Sequence, residues 1–276
     1  MAPVLMKKLV KELLPPIVLK LAKKKLTATN EYGSYAEALK HADGYEDKVL
    51  TKVIVAKGLL FAKNIQVSKE LDFYCMRTFA GLAASLDEKK TLTVIDFGGA
   101  AGAHYFMAKL LLKDTVKLDW RVIETPSMVN EARRQGLEND ELHFFSELNA
   151  ATKKGQIDLV FASGSVQYTS DPYTFLKELC AINAKSFMLT RTPITEKPCI
   201  ILQYSKLSEN GIGAIPKALH IKDRSISYPV TMLDRAKVEA ILANFGELVL
   251  KVSEEKSAYS SKLDTYDNWC YIIKKP

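Results

Sequence analysis

With 276 residues, 47% of them hydrophobic and 26% charged, and no low-complexity run, the chain can bury one sizeable core, and its composition excludes a disordered or repeat-built protein. Its net charge of +7 is concentrated at one end: Lys7, Lys8, Lys11, Lys20, Lys23, Lys24 and Lys25 face only Glu12, so residues 1–26 carry +6 and the rest +1. A nearly neutral body excludes a broad phosphate-binding face, and nucleic acid is not an expected partner.

In chain order, residues 1–26 come first. Leu5, Leu9 and Leu13 share a helical spacing, and Pro15-Pro16 interrupts it, which predicts two short basic amphipathic helices. Such a segment suits a helix solvated on its lysine face, and equally a peripheral anchor on an anionic membrane surface. No run reaches ~18 consecutive apolar residues, so a transmembrane helix is not expected. The apolar stretch 13–19 is too short and proline-broken for a secretory signal. Cys75, Cys180, Cys199 and Cys270 are widely separated, the pattern of reduced thiols in a cytoplasmic protein.

Residues 27–90 predict a helical accessory segment, or lid. Turn formers and tyrosines (residues 30–35 and 43–45) flank a short helix at 35–41, and helical periodicity then runs over 46–86. From residue 91 strand and helix alternate: strand 92–97, helix 103–112, strand 119–124, helix 127–135, strands 142–145 and 157–162, helix 171–181, strand 186–191. After a long insertion, 195–227, come helix 233–243 and strands 248–252 and 269–273. This order predicts an α/β domain over 91–276 with a doubly wound, mostly parallel seven-stranded sheet, the last strand antiparallel. The insertion's apolar runs 199–202 and 218–221 predict a hairpin over the carboxyl edge of the sheet.

The chemistry concentrates at strand ends. Strand 92–97 runs into Asp96-Phe97-Gly98-Gly99-Ala100-Ala101-Gly102, an acid followed by a glycine-rich turn that opens a helix. Gly98 permits a turn that a Cβ resists, while Gly99 and Gly102 permit close backbone approach, and a side chain at Gly99 is expected to enter a ligand channel. The G-x-G-x-x-G spacing of dinucleotide folds is absent. Asp96 at the strand end can pair with a ligand ammonium; the plainer alternative is a helix cap. Glu124, followed by Thr125, ends the second strand and can accept hydrogen bonds from ribose hydroxyls. Phe145 and Ser146 end the third strand, and Ser163 and Gly164 the fourth, completing the candidate cofactor-binding set.

Beyond these, Gln167, Tyr168, Arg191 and Tyr228 are candidates for binding an acceptor, Arg191 by its fixed fork of donors or, equally, as a bridge between loops. His104, just past the glycine turn, is a candidate general base, with Arg191 and Tyr168 as further catalytic candidates; a structural histidine is the competing reading. His41, His104, His143 and His220 are too scattered for a metal set, and no metal is expected.

Asp96 to Gly102 with His104-Tyr105-Phe106, Val166-Gln167-Tyr168 with Asp171-Pro172, Arg191-Thr192-Pro193, Tyr228-Pro229, Tyr32-Gly33-Ser34-Tyr35 and Gly44-Tyr45 together resemble a family of bacterial class I methyltransferases often encoded among surface-polysaccharide genes. The resemblance implies a Rossmann-like fold, S-adenosyl-L-methionine as cofactor, and a sugar, phosphoryl-type or glycan-linked acceptor. The chain departs from the usual class I pattern at Ala100, where glycine is commoner, and after strand three, where Phe145-Ser146-Glu147 lacks an acid at the first loop position. Two rivals share the turn: an NAD-dependent sugar-modifying enzyme, whose usual glycine fingerprint this chain lacks, and a non-catalytic binding protein on the same fold.

Overall fold

The computed structural model describes residues 31–71, 75–87, 90–113, 115–153, 155–254 and 266–275. The lysine-rich segment 1–26 lies outside the described residues, as does part of the polar loop before the last strand.

Five parallel strands build the centre of the sheet: β1 (Thr91–Phe97), β2 (Lys117–Ile123), β3 (Leu142–Phe145), β4 (Ile157–Ser163) and β5 (Ala184–Thr195) stand in the order β3-β2-β1-β4-β5. β4 is buried along its whole length, the expected state of a strand covered on both faces. Two apolar layers cover the sheet, one including Leu82, Trp120, Phe144 and Phe161, the other Val160, Leu176, Phe187 and Phe245.

The carboxyl-terminal strands complete the expected pattern. β9 (Tyr266–Lys274) is inserted antiparallel between β5 and β8 (Glu247–Glu254). β8 is an edge strand that leaves Leu248, Val249, Leu250 and Val252 exposed. These seven strands match the expected doubly wound sheet.

The sheet also carries two strands more than expected, and they correct the reading of the insertion. β6 (Cys199–Lys206) pairs antiparallel with β7 (Ser225–Asp234), which joins β5 in parallel at Ile194 and Thr195. The apolar run 218–221 is therefore not the hairpin's second arm; Lys217–Leu219 forms one 3-10 turn instead. A short apolar run does not specify a strand, and Ile226, Tyr228, Val230 and Met232 supply the alternation that pairing needs. Because β7 ends at Asp234, the helix expected from 233 begins two residues later, as α8 (Arg235–Ala243), with Asp234 accepting from the Lys237 amide at 2.8 Å.

The remaining helices follow their caps. α1 (Tyr35–Leu39) starts at Ser34, α2 (Lys48–Ser68) at Asp47, α5 (Pro126–Arg134) at Thr125 and α7 (Pro172–Ala181) at Asp171, each cap side chain accepting from a first-turn amide. The helical stretch expected over 46–86 is two helices, α2 and α3 (Met76–Ser85), with Lys69 closing α2 at φ +55°. α4 (Ala103–Leu112) follows the glycine turn, and a short α6 (Leu148–Thr152), too brief to show a period, was not expected. No described helix is long and apolar enough to cross a membrane.

Candidate functional site

The carboxyl ends of β1, β2, β4 and β5 open into a broad cleft.

One wall is the glycine turn. Gly98, Ala100 and Gly102 all adopt positive φ (68°, 52° and 74°), folding the chain sharply between β1 and α4. Gly98 donates to the Ile123 carbonyl at 2.9 Å, and a Cβ there would stand 2.3 Å from the Ser165 Cβ, so the turn and the β4 loop touch only because the position is bare. Ala100 holds a left-handed conformation that glycine takes more cheaply, which gives a backbone reason for the glycine usual at this position.

Glu124 stands beside the turn. Its Oε1 accepts from the Ala100 amide and its Oε2 from the Thr125 amide, both at 3.0 Å. Burial, with Asp96 and Glu46 nearby, pushes this carboxyl up to about 7 despite the two amides that oppose the rise. Each oxygen retains a second lone pair for a hydroxyl donor. Thr125, Ser146, Ser163, Gly164 and Ser165 also line the cleft. The Ser165 hydroxyl is buried and has no hydrogen-bond partner among the described residues.

Three of the expected cofactor contacts sit elsewhere. Gly102 lies under α4 against Leu142, where a Cβ would come within 3.1 Å, so it serves helix–strand packing. Phe145 packs against the second apolar layer and does not line the cleft. Asp96 is fully buried beneath the turn: its Oδ2 accepts from Trp120 Nε1 at 2.9 Å and lies 3.0 Å from Nδ1 of His104. A Cβ on Gly99 would stand 2.4 Å from that same oxygen, so a side chain there strikes Asp96 and not a ligand channel. His104 lines the cleft from the first turn of α4, its ring edge-on to Phe161 with centroids 4.7 Å apart.

The opposite wall is a roof of side chains. Tyr45, Tyr168 and Tyr228 form a ring cluster with centroids 4.3–5.3 Å apart. The Tyr168 hydroxyl donates to Gln203 Oε1 at 2.8 Å, the Tyr228 hydroxyl meets Ser205 Oγ at 2.9 Å and Asn210 Oδ1 at 3.2 Å, and Tyr35 donates to the Tyr168 carbonyl at 2.7 Å. Residues 31–47 are strapped across the β6–β7 hairpin, with Tyr32 donating to the Ile200 carbonyl and Asp43 accepting from the Ser227 amide.

Behind the strap, α2 ties roof to turn. Its Gly58 abuts Ala101, where a Cβ would come within 2.4 Å, and its buried Lys57 donates to the carbonyls of Ser208, Asn210 and Gly211 at 2.8, 2.5 and 3.1 Å. Desolvation lowers the lysine's pKa, which the Asp223 carboxylate opposes. Lys57 and Gly58 were missed in the sequence. A lysine and a glycine inside the apolar run 53–61 are the signal that could have found them.

Gln167 is not an acceptor ligand in this arrangement. It is fully buried, donates to the Arg191 carbonyl at 3.1 Å, and does not line the cleft. Arg191 does line it, exposed and at φ +56°, its guanidinium over Gly164. Its amide donates to Glu254 Oε2 at 2.6 Å at a bulge between β5 and β9; the other Glu254 oxygen accepts from Thr190 Oγ1 at 2.6 Å and pairs with Arg77. The loop-bridging alternative thus falls to Glu254, and the Arg191 side chain stays at the cleft. Among the described residues no group of three or more His, Cys, Asp or Glu side chains is placed to hold a metal ion.

No family model matches the chain, and no curated protein matches it. Solved structures resemble the chain at low identity. The methyltransferase in complex with the Haloferax volcanii Trm112 activator is 16% identical at a TM-score of 0.46, covering 81% of this chain and 97% of that one. An S-adenosylmethionine-dependent methyltransferase from Clostridium acetobutylicum is 13% identical at 0.45, covering 79% and 97%. Geranyl diphosphate C-methyltransferase from Streptomyces coelicolor A3(2), in complex with S-adenosyl-L-homocysteine, is 9% identical at 0.45, covering 74% and 79%.

Proposed function

We propose that the protein is an S-adenosyl-L-methionine-dependent methyltransferase that modifies an oxygen of a sugar, phosphoryl-type or glycan-linked acceptor in surface-polysaccharide biosynthesis. The observation that carries the reading is the pairing of the bare turn at Gly98–Gly99 with Glu124 on one wall of the cleft. The residues fit the cofactor: Glu124 keeps lone pairs for ribose hydroxyls, Ser165 has an unused buried hydroxyl, and the tightly folded turn lines the cleft beside them at Gly98, Gly99 and Ala100. When bound, the cofactor supplies an electrophilic methyl group on a sulfonium.

The chain's own part is to bind, orient and exclude water. Holding two reactants in near-attack alignment can supply roughly 7–11 kcal/mol of a barrier, and the roof of Tyr45, Tyr168 and Gln203 is suited to orienting a hydroxylated acceptor. Arg191 offers a cationic fork at the same edge. The antiparallel insertion of β9 favours this reading over the NAD-dependent rival. Residues 1–26 would hold the enzyme at an anionic membrane surface, which sedimentation of the full chain and of one lacking them with anionic vesicles tests.

Titration calorimetry with S-adenosylhomocysteine and with NAD tests the cofactor. The reading fails if NAD binds and S-adenosylhomocysteine does not. A sugar and sugar-phosphate screen scored by S-adenosylhomocysteine release then tests for an acceptor.

A further inference from the structure

A carboxylate fully withdrawn from water is costly unless hydrogen-bonded, and Asp96 spends its hydrogen bonds in a particular way. Trp120 Nε1–H can only donate, and it occupies Oδ2 at 2.9 Å from the β2 side. The other neighbour is His104 Nδ1, at 3.0 Å from Oδ2 and 3.3 Å from Oδ1. Between a carboxylate and a ring nitrogen the proton belongs on the nitrogen, which leaves the lone pair of a neutral imidazole on Nε2. The ring is fixed from a third direction by Phe161 of β4, and the side chain keeps 19% exposure at the cleft while Asp96 keeps none.

We infer that Asp96 and His104 form a proton-accepting dyad, in which Asp96 is a positioning residue and His104 takes the proton of a neutral hydroxyl acceptor. Resting on the methyl-transfer reading, this narrows the acceptor to an alcohol oxygen, because a phosphoryl oxygen is already anionic and needs no base. The proton balance is complete. The hydroxyl O–H bond breaks as its proton moves to Nε2; the oxygen's electron pair forms the new bond to the methyl carbon, and the broken carbon–sulfur pair stays on sulfur. The resulting imidazolium pairs with Asp96 and later loses its proton to water.

The placement explains why a carboxylate is needed there. His104 sits in the first turn of α4, at the positive end of the helix dipole, where an added positive charge is unwelcome. The Asp96 carboxylate, 3.0 Å away, supplies the opposite charge. Beside Trp120, His104 supplies a second side-chain partner to the buried carboxylate, and the carboxylate in turn fixes the ring. The dyad also removes Asp96 from the role of direct ligand to a cofactor ammonium.

The decisive readout needs no acceptor. Long-range proton–nitrogen correlation on histidine-labelled protein saturated with S-adenosylhomocysteine should show His104 as a single tautomer, protonated on Nδ1. In Asp96→Asn the tautomers should mix. A wild-type His104 protonated on Nε2 overturns the dyad, as does an unchanged spectrum in the variant. Should Asp96→Asn fail to fold, diethyl pyrocarbonate on the wild type supplies the second measurement. Nε2 of His104 should react in the free protein and slow at least tenfold with S-adenosylhomocysteine bound; an inert His104, or one indifferent to that ligand, overturns the proposal. Failure of S-adenosylhomocysteine to bind in calorimetry would instead sink the methyl-transfer reading, while the tautomer of the free protein would still decide whether Asp96 orients the ring.

Discussion

The two walls of the cleft are built by opposite means. The turn wall uses backbone: residues 96–104 are contiguous, three of them hold positive φ, and their partner Glu124 ends the adjacent strand. The roof uses side chains brought from Tyr35, Tyr45, Lys57, Tyr168, Gln203, Asn210 and Tyr228, separated by up to 193 residues and joined by hydrogen bonds and ring contacts. A wall of the first kind is fixed by local sequence and tolerates no added atom. A wall of the second kind is fixed by tertiary packing, and its residue types can vary as the ligand requires.

The sharpest way to break the comparison is Gly98→Val. Its Cβ would fall 2.3 Å from the Ser165 Cβ at a φ of +68°, so steric overlap and backbone strain add, and the loss of stability should exceed about 4 kcal/mol in urea unfolding. A loss below about 1 kcal/mol would mean that the turn is not rigid. Lys57→Met comes next. It strands three carbonyls, and stability should fall by about 3 kcal/mol. Hydrogen exchange at 207–213 should quicken while S-adenosylhomocysteine affinity stays within threefold; if affinity collapses as well, the two walls are one unit, coupled through Gly58.

Glu124 sharpens the turn side electrostatically. Its carboxyl is held up to about 7, and accepting ribose hydroxyls favours the ionised form. Protons must therefore leave on binding below that pH, and S-adenosylhomocysteine affinity should weaken up to about tenfold (about 1.4 kcal/mol) per pH unit below about 7 and level off above it. Glu124→Gln should abolish that slope in calorimetry from pH 5 to 8. The smallest effect is Ala100→Gly, which relieves a left-handed residue at φ +52° and should raise the unfolding free energy by about 1 kcal/mol. A destabilisation would show that the Ala100 methyl packs well enough to outweigh its backbone strain.

Legibility followed the same division. The central strands, the caps at Thr125, Asp171 and Asp234, and the antiparallel ending rest on short-range pattern. Glu124 was placed correctly at the cleft because a strand end in a parallel sheet has a fixed address. Phe145 is the last residue of β3 and faces the layer opposite Phe144, as strand alternation requires, while Gln167 lies in a 3-10 turn whose side-chain directions no strand period sets. β7 carries alternation at Ile226, Tyr228, Val230 and Met232, but the apolar run 218–221 competed with it as the second arm of the hairpin. Asp96 was recognised as important for a different partner: Trp120, 24 positions away, is invisible as a ligand until the strands pair.

The insertion of β9 has a consequence for how the chain is made. β1 to β4, with the glycine turn and Glu124, can assemble once residue 163 has been synthesised. The outer edge of β5 and all of β8 must wait for residues 266–274, since β9 lies between them and is β8's partner. A nascent chain halted at residue 254 would carry a finished donor-side turn beside a 12-residue strand with an unpaired edge and a second, loose strand bearing Leu248, Val249, Leu250 and Val252. Such a chain is a natural client for a chaperone or a protease, and the arrival of β9 is what ends that exposure.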